Sequence, residues 1–126
     1  MPESQAMVRM WAGIGALNAF LAVGAGAFGA HALRDRLEPR MLEAFEVGVR
    51  YQFFHALGLF AVAFALSQQV AANTAGWAML LGIALFSGSL YAMALTGIRP
   101  LGIITPFGGV AFLVAWAMLA WGFFKK

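Results

Sequence analysis

The stretch MWAGIGALNAFLAVGAGAFGAHAL, residues 10–33, contains no Asp, Glu, Lys or Arg, and its only polar side chains are Asn18 and His31. A helical crossing of a bilayer requires about 20 predominantly apolar residues, so Met10 to Leu33 is long enough to span with some tilt. The run stops abruptly at Arg34-Asp35-Arg36. Arg9 before it and the small-x-small Ala30-His31-Ala32 near its end imitate a secretory signal, but the apolar run outlasts the about 7–15 residues of a signal core. A retained first span is therefore expected.

Working outward, the segment from Arg34 to Arg50 carries eight of the thirteen charged residues. Pro39 sits where a first-turn proline starts a helix. From there Glu43, Glu46 and Arg50 recur at spacings of three and four, which aligns them on one helical face, with Leu42, Phe45 and Val49 on another. Residues 34–50 thus read as an amphipathic interfacial segment. No breaker separates it from the apolar run to Val70, so one long helix is expected, its second half forming the span at about 50–70. Ser67 to Thr74 is an uncharged turn with Asn73 or Thr74 available as a cap. A third span covers about 75–95, Gly97 and Pro100 break the chain, and Thr105-Pro106 supplies a hydroxyl cap and a first-turn proline. The fourth span, about 106–124, just reaches across.

The fold class expected is all-α: a single polytopic membrane domain over residues 1–126, four transmembrane helices in an up-down-up-down bundle, with an amphipathic extension before helix 2. Composition agrees. The 126 residues are 63% hydrophobic and 10% charged, with a mean hydropathy of +0.83, whereas soluble domains are about 25% charged. Little chain is left for a soluble catalytic module. There is no cysteine, which excludes disulfides, thiolate metal sites and cysteine nucleophiles. The net charge of +3 is scattered, with no basic run longer than Lys125-Lys126, so it reads as membrane-flank charge and not as a nucleic-acid footprint. Trp11, Trp77 and Trp121 fall at span ends on the terminal side, with Trp116 a turn deeper and Tyr51 and Tyr91 toward the other side, as in an aromatic belt. Lys/Arg counts of three on the terminal side (Arg9, Lys125, Lys126) against five on the other (Arg34, Arg36, Arg40, Arg50, Arg99) tilt the termini outward.

Two constellations stand out. Gly15, Ala19, Ala22, Gly26 and Gly29 recur every three or four residues on the first span, a small-residue face that admits another helix closely, either within the chain or in a homodimer. Asn18, on the same span, and Ser87, Ser89 and Tyr91 on the third offer hydrogen bonds between helices. The second constellation is polar: His31, Asp35, Glu43, Glu46, Arg50, Tyr51 and His55. His31 lies a turn inside the end of span one and His55 about one and a half turns inside span two, which brings them to similar depth if the spans start where the charges end. Facing histidines suit haem iron, or a harder metal with Asp35 or Glu46. Two ligands make a sparse site, however, and neither metal nor cofactor is expected. No nucleophile triad, catalytic carboxylate pair or phosphate-cradling loop is visible, so the chain is not expected to be an enzyme.

Certain strings carry a resemblance: Gly26-Ala27-Phe28-Gly29-Ala30-His31, Tyr51-Gln52-Phe53-Phe54-His55-Ala56, Phe86-Ser87-Gly88-Ser89-Leu90-Tyr91 and Ile104-Thr105-Pro106-Phe107-Gly108-Gly109. Together they resemble the YgdD-like family of small four-span bacterial inner-membrane proteins, which has eukaryotic transmembrane relatives and no established molecular function. That resemblance implies an inner-membrane location, with periplasmic termini by the charge count above, and no catalytic residues. Two functions are expected from these readings. The first is a non-enzymatic accessory, assembly or binding protein whose partners are membrane lipids, another inner-membrane protein or a second copy. The second is a small transporter or channel, also dimeric in one form, with a His/Glu polar pathway.

Overall fold

The protein's structure, a computed structural model, describes residues 2–126, and side chains from Ser4 onward. Helix α1 (Pro2–Phe28) continues through a π-helical turn, Gly29–Leu33. Helix α2 (Pro39–Ser67) starts at its proline and runs unbroken through the charged segment into the apolar one. Helix α3 (Asn73–Thr96) has a π-helical turn at Ile83–Ser87. A 3-10 turn at Arg99–Ile103 leads into α4 (Thr105–Lys125). Four candidate spans result, Ser4–Leu33, Pro39–Ser67, Asn73–Thr96 and Arg99–Lys125, each long and apolar enough to cross a membrane. No strand occurs among the described residues.

The ends of these helices have local causes. Helix α2 closes at Ser67, short of Val70, because Gln69 adopts a left-handed φ of 60° and the Val70 N–H turns back to the Ala65 carbonyl at 2.9 Å. Gly97, at φ 75°, closes α3 the same way, its N–H bonded to the Met93 carbonyl at 2.8 Å. The side-chain caps expected of Asn73 and Thr105 do not form. Asn73 instead accepts a hydrogen bond from Trp11 Nε1 at 2.8 Å, and Thr105 Oγ1 pairs with Ser89 Oγ at 2.5 Å. Both polar groups join two helices, where an interhelical bond satisfies two partners away from water.

Each helix packs on the next, α1 on α2, α2 on α3 and α3 on α4, so the inner pair is the more buried. At one end Lys126 Nζ donates to the Gln69 carbonyl at 2.9 Å, tying the C-terminal residue to the α2–α3 turn. At the other, Arg99 lies 3.7 Å from Glu38, linking the α1–α2 and α3–α4 connections. The C-terminal residue and the described start of α1, whose Trp11 bonds to Asn73, therefore sit at the end that carries the α2–α3 turn. The larger apolar core lies toward that end, around Trp11, Leu59, Val62, Met79, Phe112 and Leu119. A smaller one, Leu33, Phe45 and Ala94, lies toward the other.

Trp11 departs from the aromatic-belt reading. It is fully buried, donates to Asn73 and meets Trp77 edge-on at 5.0 Å, while Trp77 and Trp121 do face outward. Its indole lies over Gly76, where the absence of a Cβ leaves room for the ring. The same device recurs through the bundle, with Tyr91 on Gly48, Met79 and Trp116 on Gly58 and Phe112 on Gly82, while Gly108 admits the backbone of Phe86 itself. In lipid, where apolar side chains gain little by leaving their surroundings, such close ring-on-backbone packing supplies the attraction between helices.

Candidate functional site

The small-residue face of α1 is used inside the chain. Trp11, Gly15, Asn18, Ala22, Gly29 and Leu33 form its buried stripe, with Gly26 half-buried on the same line. A Cβ on Gly15 would come within 2.9 Å of the Ala56 carbonyl, and Gly26 and Gly29 take Val49 and Phe45. Ala19, beside this line, is half-buried. On α2 the matching stripe is Phe45, Gly48, Gln52, His55, Leu59 and Val62, again at spacings of three and four.

Where the stripes meet α3, they carry a polar relay. Tyr91 Oη donates to Gln52 Oε1 at 2.7 Å, Gln52 Nε2 donates to Asn18 Oδ1 at 3.1 Å, and Asn18 Nδ2 donates to the Ile14 carbonyl at 3.0 Å. Nearby, Ser87 Oγ donates to the Gly48 carbonyl at 2.6 Å, and Ser89 Oγ donates to the Phe86 carbonyl at 3.0 Å. One turn along α2, His55 is 5% exposed and stacks on Phe112 with ring centroids 3.5 Å apart. Trp116 Nε1 donates to its Nε2 at 3.0 Å; an indole only donates, so Nε2 is the bare nitrogen and Nδ1 carries the proton that it gives to the Tyr51 carbonyl at 2.8 Å. Both ring nitrogens are committed. Among the described residues no buried side-chain nitrogen or oxygen lacks a partner. The relay joins α1, α2 and α3 and ends on the Ile14 carbonyl, and the separate Trp116–His55 bond ties α4 to α2.

The proposed polar cluster does not assemble. His31, Asp35, Glu43, Glu46 and Arg50 are all exposed, Tyr51 is at the surface against Phe86, and His55 alone is buried. The histidines also differ in depth. Gly29 faces Phe45 across the α1–α2 contact, which sets His31 level with Glu43, twelve residues and so about 18 Å from His55 at 1.5 Å per residue. The sequence reading measured depth from Arg50, the last charge. The helices pair from Pro39, after a connection of only five residues, Arg34–Glu38. Among the described residues no three metal-ligating side chains gather.

The same register moves the charges. Val49 meets Gly26, so Arg50 is level with about Ala25, some 12 Å inside the end of α1 at Leu33, and Glu46 about 8 Å inside. The interfacial segment thus extends alongside the apolar part of α1. Glu43, Glu46, Arg50, Phe53, Leu57, Phe60 and Phe64, all exposed, form one outward stripe along α2, charged in its first half and apolar in its second. Sequence reasoning noted the charged half but not the continuous line. It also passed over Gln52 and Trp116 as hydrogen-bonding groups. Gln52 falls on the Phe45, Gly48, His55 spacing and was within reach of a stripe analysis, whereas the Trp116 bond to His55 joins residues 61 positions apart and has no local signal.

An all-helical chain with four spans, a closed polar core and aromatic-on-glycine packing defines a small multi-pass membrane protein. The family model described as "Protein of unknown function (DUF423)" matches residues 25–109. Among curated proteins, the UPF0382 membrane protein YwdK of Bacillus subtilis is 53% identical over 109 residues, 84% of this chain and 89% of the relative. A UPF0382 membrane protein of Staphylococcus saprophyticus is 50% identical over 113 residues, 89% of this chain and 94% of the relative. The chain belongs to the DUF423 family, whose UPF0382 relatives are membrane proteins. No solved structure matches it.

Proposed function

We propose that this protein is a non-enzymatic accessory or assembly factor of the bacterial inner membrane, with periplasmic termini, that holds a membrane-protein partner against the outward stripe of α2. Kinship with the YgdD-like proteins belongs to the same reading. The observation that carries it is the exposure of Glu46 and Arg50 at a depth where α1 is wholly apolar. A lone charge facing hydrocarbon costs about 2.5–3.5 kcal/mol at the bilayer centre on insertion scales, less nearer the interface. Such a face calls for a cover. In two copies related by an axis along the membrane normal, each Glu46 reaches about 6 Å, one helical turn, along its partner to Arg50, and a different protein with opposed charges at that depth also covers the face.

The transporter reading has less support. It needs His31, His55, Glu43 and Glu46 along one path, and these residues lie on different faces and levels, with both nitrogens of His55 engaged. Affinity purification from native membranes in mild detergent tests the proposal. The expected result is a stoichiometric membrane-protein partner or second copy, weakened by Glu46→Gln with Arg50→Gln. A chain that comes out alone and monomeric, preparation after preparation, defeats it.

A further inference from the structure

Two ends of the bundle differ in charge. The connection end balances Arg34, Arg36, Arg40, Arg50 and Arg99 against Asp35, Glu38, Glu43 and Glu46; the terminal end sets Arg9, Lys125 and Lys126 against Glu3 alone. The acids of this chain are almost all at one end, and the other is left cationic. At that cationic end an open cleft of about 910 Å³ runs between the first turns of α1 and the α2–α3 turn. Its volume falls within the about 300–1,000 Å³ typical of ligand pockets. The lining is of two kinds: Ser4, Gln5 and Arg9 present hydrogen-bonding groups, while Val8, Leu66 and Ala71 present hydrocarbon.

Depth is fixed by neighbours. Arg9 is two residues, about 3 Å of helix, beyond Trp11, which bonds to Asn73 at the start of α3. Trp77 and Trp121 face outward near this end, the level at which indoles meet lipid headgroups. Arg9 is exposed, and the one ion pair among the described residues is Arg99 with Glu38 at the opposite end. A guanidinium presents a planar fork of donors that matches two phosphate oxygens, with the nearby Gln5 amide for the remainder.

We infer that this cleft is a binding site for an anionic glycerophospholipid, with the phosphate on Arg9 and Gln5 and the upper acyl chain along Val8 and Leu66. The site is independent of the α2 stripe and stands whether or not a protein covers that stripe. A lipid fits better than a soluble anion because half the lining is apolar, and better than a neutral lipid because the end carries three cationic side chains against one acidic one.

The test is native mass spectrometry of the full chain released from mixed micelles containing equal phosphatidylglycerol and phosphatidylcholine. Wild type is expected to retain the anionic lipid preferentially. Arg9→Gln should lower that preference about fivefold, in line with one basic residue at a membrane surface, and Arg9→Lys, which keeps the charge but not the fork, should lower it by less. Arg99→Gln, at the other end, should leave it unchanged. Retention of both lipids in proportion to their supply overturns the proposal. So does an equal loss in Arg99→Gln, which would make the preference a matter of overall charge, and so does displacement of the lipid by millimolar inorganic phosphate, which would make the occupant a free anion. A loss of preference in Arg9→Gln with unchanged helical content and melting temperature separates binding from folding.

Discussion

Gln52 lies in the middle of α2 and uses both ends of its amide, taking the Tyr91 hydroxyl proton on one side and giving a proton to Asn18 on the other. Removing it orphans two groups at once. Hydrogen bonds between membrane helices average only about 0.6 kcal/mol, with the strongest near 1.7, because the separated helices find other partners. A buried polar group left without any partner costs about 1–3 kcal/mol. Gln52→Leu is therefore expected to destabilise by about 1–3 kcal/mol, and Tyr91→Phe, which strands only the Gln52 oxygen, by about 1 kcal/mol. With Gln52 already gone, Tyr91→Phe removes a hydroxyl that had lost its acceptor, so the double variant should cost less than the two singles together. Reversible unfolding in detergent checks this, and strict additivity would mean the relay is not one connected unit.

Gly13 and Gly15 lie two positions apart on α1 and face opposite ways. Nothing lies within 4 Å of a Cβ placed on Gly13, whereas one on Gly15 meets the Ala56 carbonyl at 2.9 Å and the Leu59 Cβ at 3.3 Å. Alanine at position 13 simply replaces a mid-helix glycine, a gain of about 0.5–1 kcal/mol. At position 15 the same methyl group must push α1 off α2, and overpacking of this kind costs about 1–3 kcal/mol. Opposite shifts in melting temperature for Gly13→Ala and Gly15→Ala are expected; shifts of the same sign would place the α1–α2 contact elsewhere. The small-residue stripe behind this contrast was legible in the sequence because a helix repeats every 3.6 residues and Gly15, Ala22, Gly26 and Gly29 keep that period. So were the four apolar runs and the proline that starts α2. What the period does not contain is the offset of one helix along another. Reading depth from the charges brought His31 and His55 together; the short Arg34–Glu38 connection sets the pairing from Pro39 and parts them. The aromatic-on-glycine contacts escape for a similar reason, since Gly82 and Phe112, or Gly48 and Tyr91, become neighbours only through the bundle.

At the scale of the whole molecule, α1 and α4 are the outer helices, and their exposed side chains are apolar through the middle of the bundle, as a lipid-facing surface requires. The stripe on α2 breaks that rule, because Glu46 and Arg50 are open on a helix more buried than either. Three environments satisfy the charges: an interface reached by long side chains, water in a crevice, or another protein surface. They differ in what a small reagent meets. The chain has no cysteine, so single replacements Glu43→Cys, Glu46→Cys, Arg50→Cys and Phe53→Cys can be labelled in native membranes with a membrane-impermeant maleimide, and again after solubilisation in detergent. A protein cover predicts fast labelling at position 43 throughout. At positions 46 and 50 it predicts labelling that is slow in the membrane and at least several-fold faster once detergent separates the partner. Fast labelling at 43, 46 and 50 before solubilisation instead describes a wet crevice and returns weight to a polar pathway. Slow labelling under both conditions describes charges held against the chain itself. The cover on α2 survives only the first pattern, and since position 53 begins the apolar half of the stripe, its labelling should rise with detergent only if the covered face continues past the charges.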